Sequence, residues 1–137
     1  MPFQLTIVTP QGPAYEGVVE SVVLPGTEGD FGALASHERL LAPLRIGEVA
    51  IRTAGDLLYA AIADGFARVN GDAVVVMVES CEAARDVDVA RAQLALGRAE
   101  QGLAALGGDP SEARIREFEA SLERARNRIA VAGRAQG

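Results

Sequence analysis

Over roughly the first 80 residues, apolar and polar positions alternate in short runs that end at Gly, Pro, Asn or Asp. Phe3, Leu5 and Ile7 alternate with polar neighbours before a break at residues 10–13, which places the three apolar side chains on one face of a strand. Short β-branched runs at this spacing are typical of an all-β sandwich or barrel. The pattern predicts about eight to ten strands in this half of the chain.

Later runs follow the same pattern and predict strands at 18–24, 48–53, 57–63 and 72–78. Pro25-Gly26 is expected to end the first of them. The pair Asn70-Gly71 tolerates positive φ at both central positions of a tight turn. We therefore expect residues 66–69 and 73–78 to form a β-hairpin around it.

After Glu82 the period changes to about 3.5 residues, which indicates a helix. Asp86 is the expected N-cap, and Gly107-Gly108 is the expected end of this helix. Its apolar stripe consists of Ala92, Leu96, Ala99, Leu103 and Leu106. Such a stripe packs one face of the helix against a partner.

A second helix is predicted to start at once. Asp109 is the expected N-cap, Pro110 suits the first helical position, and Glu112 lies three residues past the cap, as in a capping box. Its stripe consists of Ile115, Phe118, Leu122, Ala125, Ile129 and Ala132. Two stripes of equal period predict an antiparallel helical hairpin with an Ala-rich, weakly stabilised seam. The expected domains are a β-sandwich over 1–83 and a helical hairpin over 84–137.

The charge of the chain is uneven. The 137 residues include 13 Arg, no Lys and 19 acidic residues, and the net charge is −6. Phosphate groups repel such a chain, so we expect no binding to nucleic acid. Residues 124–137 are the exception, since they carry four Arg and no acid; the remaining 123 residues therefore carry −10.

Several protein classes are disfavoured by composition. Residues 1–10 lack the basic and apolar segments of a secretory leader, and the longest apolar runs, 57–63 and 74–78, are shorter than the roughly 20 residues that a membrane-spanning helix needs. Cys81 is the only cysteine, which excludes an intrachain disulfide and multi-Cys zinc motifs. These features are typical of a reducing, cytosolic environment.

Candidate chemistry is sparse. The Gly-rich segment 24–34 matches neither dinucleotide nor P-loop spacing and is interpreted as turns. His37 is the only histidine, which excludes a multi-His metal site. A Cys81–His37 dyad stays open as a nucleophilic site, although lone Cys and His residues in small β domains are usually packing or loop residues. We predict no catalytic residue and no metal ligand.

Four arginines have a suggestive spacing. Folding the helices about Gly108 brings Arg91, Arg98, Arg124 and Arg128 to one side of the hairpin. Guanidinium groups pair bidentately with phosphate oxygens, so this side is a candidate polyphosphate site. The alternative is a solvated face with salt bridges.

Three features in order along the chain carry a family resemblance. They are the Pro-Gly-x-x-Gly-x-Phe-Gly-x-Leu-x-x-His segment at 25–37, the Gly65-Phe66 pair before a hairpin, and the Ala-rich helices. Together they resemble the epsilon subunits of bacterial F-type ATP synthases. The resemblance implies an α+β fold in which a flattened ten-stranded β-sandwich precedes an antiparallel two-helix hairpin.

The resemblance also implies partners and a place in the cell. The sandwich would bind the gamma subunit and the membrane ring of c subunits, and so transmit proton-driven rotation as a non-catalytic rotor subunit. Contact with the membrane would come only through the complex, at the cytoplasmic face of the bacterial inner membrane. The hairpin would alternate between a folded state and an extended state among the catalytic alpha and beta subunits, where it inhibits ATP hydrolysis.

The segment 87–92 resembles the motif Ile/Leu-Asp-x-x-Arg-Ala, through which some family members bind ATP, with Val at its first position. By this similarity the ATP-binding residues would be Glu82, Asp88, Arg91, Ala92, Arg98, Arg124 and Arg128. No cofactor would be required. The ATP would be regulatory, and the part played by Mg²⁺ stays open.

Two alternatives of other classes remain at this point. One is a free-standing β-sandwich that binds a ligand and oligomerises through its helical tail. The scarcity of aromatic residues, four Phe and two Tyr without Trp, disfavours the stacking surfaces that such a module needs. The other is a small enzyme that uses Cys81 and His37, in which replacing Cys81 by Ser would abolish activity.

Overall fold

The structure is a computed structural model that describes residues 2–33, 39–107 and 111–136. Within these ranges ten strands precede two helices, which confirms the expected fold class. The strands are β1 (Phe3–Thr9), β2 (Gly12–Val19), β3 (Ser21–Gly26), β4 (Gly29–Ala33), β5 (Arg39–Leu44), β6 (Gly47–Arg52), β7 (Leu57–Ile62), β8 (Gly65–Asn70), β9 (Ala73–Val78) and β10 (Cys81–Ala83).

The strands form one sheet that encloses the main core. Its order is β10-β7-β6-β3-β5-β8-β9-β1-β2, with β4 paired to β3. The β1–β9 pair is parallel, and the other pairs in the described residues are antiparallel. Leu5, Ile7, Leu24, Val49 and Val76 are fully buried in this core. The alternation of Phe3, Leu5 and Ile7 is therefore confirmed.

The predicted single strand at 18–24 is wrong. The chain forms two strands there, which meet at Glu20. Val19 ends the pairing with β1, and Ser21 begins the pairing with Arg52 of β6. Because the two halves of this run pair with different strands, one continuous apolar stretch contains a strand boundary.

The hairpin of β8 and β9 is confirmed, but its turn differs from the expectation. Asn70 pairs with Ala73, so the two-residue loop is Gly71-Asp72, and only Gly71 has a positive φ, of 65°. A positive φ at the first loop position is a feature of the type II′ turn.

The described part of the Gly-rich segment is a turn, as predicted. β3 and β4 form a hairpin in which Gly26 pairs with Gly29, and the φ of Gly29 is 129°. No helix follows within 29–33, so the P-loop alternative has no support there. His37 lies outside the described residues.

The first helix, α1 (Val89–Ala105), starts later than predicted. A 3₁₀ turn (Ala84–Asp86) and the extended Val87 precede it, so Asp86 is not the N-cap. Asp88 has that role, since its Oδ1 accepts a hydrogen bond from the Arg91 backbone N–H at 3.1 Å. Because the α-helix begins only after Val87, the N-cap lies two residues later than predicted.

The second helix, α2 (Glu112–Ala132), has Ser111 as its N-cap, and a 3₁₀ turn (Gly133–Gln136) follows it. Because Glu112 is the first helical residue, it is not at the third position of the expected capping box. Asp109 and Pro110 lie outside the described residues. Both predicted stripes are buried or half-buried. No helix in the described ranges is long and apolar enough to cross a membrane.

Candidate functional site

The C-terminal end of α2 contacts the sandwich. Val131 is buried in a small apolar cluster with Ala61 of β7 and Ala84, and Tyr59 packs against this cluster. The Asn127 side-chain amide donates a hydrogen bond to the Gly47 carbonyl at 2.8 Å. These contacts attach the hairpin to the neighbouring strands β6 and β7.

Arg128 and Glu82 form an ion pair at this junction. Arg128 Nε donates to Glu82 Oε1 at 2.6 Å, and Nη2 donates to Oε2 at 3.2 Å. The two side chains are 29% and 34% exposed, so water screens the pair only in part. The positive charge of Arg128 is thus offset by a carboxylate of the chain itself.

Arg134 forms a second pair of the same kind. Its Nε and Nη2 donate to Glu48 Oε2 and Oε1 at 3.0 and 3.3 Å. The guanidinium also lies over the Tyr59 ring, 5.0 Å from its centroid. The hydrogen bond to Glu48, together with its charge, raises the pKa of Arg134. Sequence reasoning missed this contact, because Glu48 and Arg134 are 86 residues apart and no local pattern joins them.

The residues of the expected ATP site have different surroundings. Glu82 and Arg128 are in contact, and Asp88 caps the helix that carries Arg91. Ala92 is fully buried, and Arg98 is exposed. The exposed Arg124 donates from Nη2 to Ser121 Oγ at 3.1 Å.

Three guanidinium groups of that set face solvent. Arg91, Arg98 and Arg124 are exposed, and none of them forms an ion pair with a carboxylate of the described residues. Their charges are therefore not offset by contacts within this part of the chain. Because guanidinium groups donate paired hydrogen bonds to anionic oxygens, an anion with several oxygens is a suitable ligand for these three groups. Their use by ATP stays a prediction.

A cleft of about 1170 Å³ lies beside the junction. Its lining includes Tyr15 of β2 and Cys81 of β10, the two end strands of the sheet, as well as Arg85 and Arg134. Of the seven residues of the expected ATP site, only Glu82 lines this cleft. The cleft and the exposed arginines of the helices are therefore different surfaces.

Cys81 is poorly suited to nucleophilic chemistry. Burial, and to a smaller extent the charge of Glu82, raises the pKa of its thiol from 9.0 to about 11. The thiol is thus protonated at pH 7, whereas a catalytic cysteine needs a lowered pKa. The expected partner in a dyad, His37, lies outside the described residues.

The outer face of the sandwich carries exposed apolar side chains. Leu41, Phe66 and Met77 are 63%, 51% and 42% exposed. They lie on the neighbouring strands β5, β8 and β9, where Phe66 pairs directly with Met77 and Leu41 pairs with Arg68. The register therefore places the three on one face of the sheet. We call these three residues the apolar row.

Two family models match consecutive parts of the chain. The beta-sandwich domain of the ATP synthase delta/epsilon chain matches residues 2–84. The long alpha-helix domain of the same chain matches residues 85–133. The match thus covers both the sandwich and the helices.

Individual proteins match over nearly the whole length. The ATP synthase epsilon chain of Bacillus pumilus is 39% identical over 96% of this chain and 97% of its own, and ATP synthase epsilon chain 2 of Syntrophotalea carbinolica is 40% identical over 96% and 94%. Among solved structures, a chain of the Euglena gracilis mitochondrial ATP synthase aligns over 94% of this chain and 80% of its own, with a TM-score of 0.79 at 23% identity, which shows the shared fold. The chain therefore belongs to the family of ATP synthase epsilon chains, subunits of the F-type ATP synthase.

Proposed function

We propose that this chain is a non-catalytic rotor subunit whose sandwich joins the gamma subunit to the ring of c subunits. Membership in the epsilon family supports an accessory place in the complex. The structural neighbours are chains of assemblies described as OSCP/F1/c-ring and as central stalk/c-ring. In this position the sandwich transmits rotation to the catalytic head and performs no chemistry itself.

The observation that carries this proposal is the apolar row on the sandwich. Large side chains that stay exposed on adjacent strands of one face mark a protein interface more often than isolated exposed residues do. Leu41, Phe66 and Met77 meet that description. We assign this face to the gamma subunit, because an apolar face suits a contact that persists while the rotor turns.

Aspartate substitutions in the apolar row test the assignment. Phe66→Asp with Met77→Asp places two charges in the contact, and we expect the chain to be lost from purified ATP synthase. Leu94→Asp is the matched control, because Leu94 is 66% exposed on α1, outside the sandwich. Full retention of the double variant would contradict the assignment, provided that circular dichroism shows an unchanged fold.

We propose further that the helical hairpin regulates ATP hydrolysis. Its seam contains few large side chains, so separating the helices from the sandwich costs little compared with unfolding the sandwich. In the extended state, the basic segment 124–137 would lie among acidic groups of the alpha and beta subunits. In the folded state, Glu82, Asp88, Arg91, Ala92, Arg98, Arg124 and Arg128 would bind ATP. ATP then favours the folded state, because it binds that state more tightly.

Calorimetric titration with ATP, with and without Mg²⁺, tests the binding site. We expect Arg91→Ala with Arg124→Ala to abolish the heat of binding. Arg114→Ala with Arg116→Ala is the control, since both residues are exposed on α2 and lie outside the proposed set. Equal heats from the wild type and the first double variant would refute the ATP site.

Deleting residues 84–137 tests regulation in the assembled enzyme. We expect the complex to assemble and its rate of ATP hydrolysis to change, because the hairpin would no longer be present to inhibit it. Hydrolysis that is identical with and without the helices would contradict a regulatory hairpin.

The proposed partners also give the location. The chain would lie at the cytoplasmic face of the bacterial inner membrane and contact the membrane only through the complex. Its net charge of −6 supports the absence of nucleic acid among its partners.

A further inference from the structure

The hydrogen bonds and ion pairs that join the helices to the sandwich come from one short stretch of the chain. In the part of the chain that the structure describes, they arise only from Asn127, Arg128 and Arg134. Their acceptors are the Gly47 carbonyl, Glu82 and Glu48. The polar attachment of the hairpin is therefore concentrated at the end of α2 and the 3₁₀ turn that follows it.

These contacts are also of a kind that is easily broken. The Arg134 and Glu48 side chains are 54% and 27% exposed, so water reaches this ion pair directly. The apolar part of the junction is small, with Val131 in contact with two alanines and Tyr59. A junction of this composition is weak compared with a domain core.

We propose that Glu48, Tyr59, Asn127 and Arg134, together with the Glu82–Arg128 pair, form a clasp that sets the fraction of molecules with a docked hairpin. This inference rests on the proposed mobility of the hairpin. It adds the contacts that control that mobility, and it assigns a role to Arg134, Glu48 and Asn127, which lie outside the proposed ATP site.

The clasp has two parts with different consequences. Glu48, Tyr59, Asn127 and Arg134 hold the hairpin to the sandwich and belong to no proposed ligand site. Glu82 and Arg128 belong both to the clasp and to the proposed ATP site. ATP binding and docking of the hairpin on the sandwich therefore depend on the same two residues. When only a fraction of the molecules can bind, the apparent dissociation constant rises in inverse proportion to that fraction. A weakened clasp therefore lowers the apparent ATP affinity without the loss of any ATP-binding side chain.

Distance measurements between two spin labels test the clasp in the full-length chain. Labels are placed at Val18→Cys on β2 and Leu94→Cys on α1, both highly exposed positions, in a Cys81→Ser background. We expect one narrow distance distribution for the otherwise unchanged chain. Glu48→Gln and Arg134→Gln are each expected to raise the ratio of undocked to docked molecules about fivefold, seen as a second, broader population.

Two further variants make the result specific. Glu48→Arg combined with Arg134→Glu restores an ion pair with reversed charges, and we expect it to recover most of the docked population. Arg116→Gln removes a charge from the exposed surface of α2 and should leave the distribution unchanged. Added salt should enlarge the undocked population of the wild type more than that of Glu48→Gln, because salt screens the exposed pair.

The possible outcomes distinguish failure of the clasp proposal from failure of the proposed two-state hairpin. A second population that has the same size in the wild type, the clasp variants and the control overturns the clasp alone. A single narrow distance in every variant and at every salt concentration overturns the clasp and the two-state hairpin together. A population that grows in the clasp variants and shrinks in the charge-reversed pair supports the proposal.

Discussion

The two regions of the molecule have different kinds of core. The sandwich buries large aliphatic side chains completely, including Leu5, Ile7 and Leu24. In the seam of the helices the buried side chains include the alanines at positions 92, 99 and 125. A buried Leu or Ile contributes about 1.5–3 kcal/mol, and an alanine methyl group contributes much less.

The hydrogen bonding of the two regions also differs, and it is again more extensive in the sandwich. Each strand pairs along its length, and the parallel β1–β9 pair joins the first residues of the chain to the last long strand. The described polar contacts of the hairpin with the sandwich lie at one end of α2. We therefore expect a sandwich that is stable by itself and a hairpin whose position depends on a small junction. Such a division suits a fixed rotor part with an attached regulatory element.

The largest expected difference concerns leucines of the two cores. Leu24→Ala in the sandwich should lower the free energy of unfolding by about 3 kcal/mol, because it leaves a cavity among fully buried side chains. Leu103→Ala in the half-buried seam should cost about 1 kcal/mol. Urea unfolding followed by circular dichroism measures both. Equal losses would show that the two cores are equally well packed.

The thiol of Cys81 tests whether β10 belongs to the stable region. Because the pKa is raised to about 11, the thiolate fraction at pH 8 is lower by about a hundredfold than for an unperturbed thiol, and alkylation by iodoacetamide should slow accordingly. The native pKa lies above the unfolded value, so the stability linked to this thiol is complete below pH 9.0 and lost between pH 9.0 and about 11. Alkylation at the rate of a free thiol would place β10 in the mobile region.

Glycine substitutions extend the comparison to the backbone. A Cβ atom at Gly65 would collide with the Met77 carbonyl oxygen on the paired strand. Gly65→Ala must therefore push β8 and β9 apart, and we expect a loss of about 2 kcal/mol in the free energy of unfolding. Thermal unfolding followed by circular dichroism measures it. A neutral result would mean that this part of the sandwich is more deformable than its pairing indicates.

The smallest expected effect has the opposite sign. Gly97 lies inside α1, and a Cβ atom there meets nothing within 4 Å. Gly97→Ala should stabilise the helix by about 0.5–1 kcal/mol, because glycine loses more backbone entropy on forming a helix. The helical signal at 222 nm during urea unfolding checks this. A destabilised hairpin would indicate a contact at this position that the folded chain needs.

Local patterns in the sequence predicted the elements well. Alternation identified the buried face of β1, and the two 3.5-residue stripes identified the facing surfaces of α1 and α2. The ends of elements were less predictable. The run at 18–24 contains a strand boundary because its halves pair with different strands, and Asp88 caps α1 in place of Asp86 because a 3₁₀ turn comes first. The first error arises because strand pairing is non-local. The second arises because a 3₁₀ turn competes locally with the start of the α-helix.

The candidate site was predictable only in part. The helix residues of the expected ATP site follow from a motif, and the structure brings Glu82 and Arg128 into contact. Their role in binding ATP stays a prediction. The contacts of Arg134 with Glu48 and Tyr59 join residues far apart in the chain, so only the fold reveals them. Family membership decides against the free-standing ligand-binding module as an alternative.

Amide hydrogen exchange of the full-length chain, with and without Mg-ATP, tests most directly whether a stable sandwich carries a separately mobile, nucleotide-sensitive hairpin. We expect amides of α1 and α2 to exchange at much lower free energies than those of the buried strands. We also expect Mg-ATP to increase protection in residues 84–136 and to leave the strands unchanged. Equal protection of the two regions, unaffected by Mg-ATP, would contradict the account.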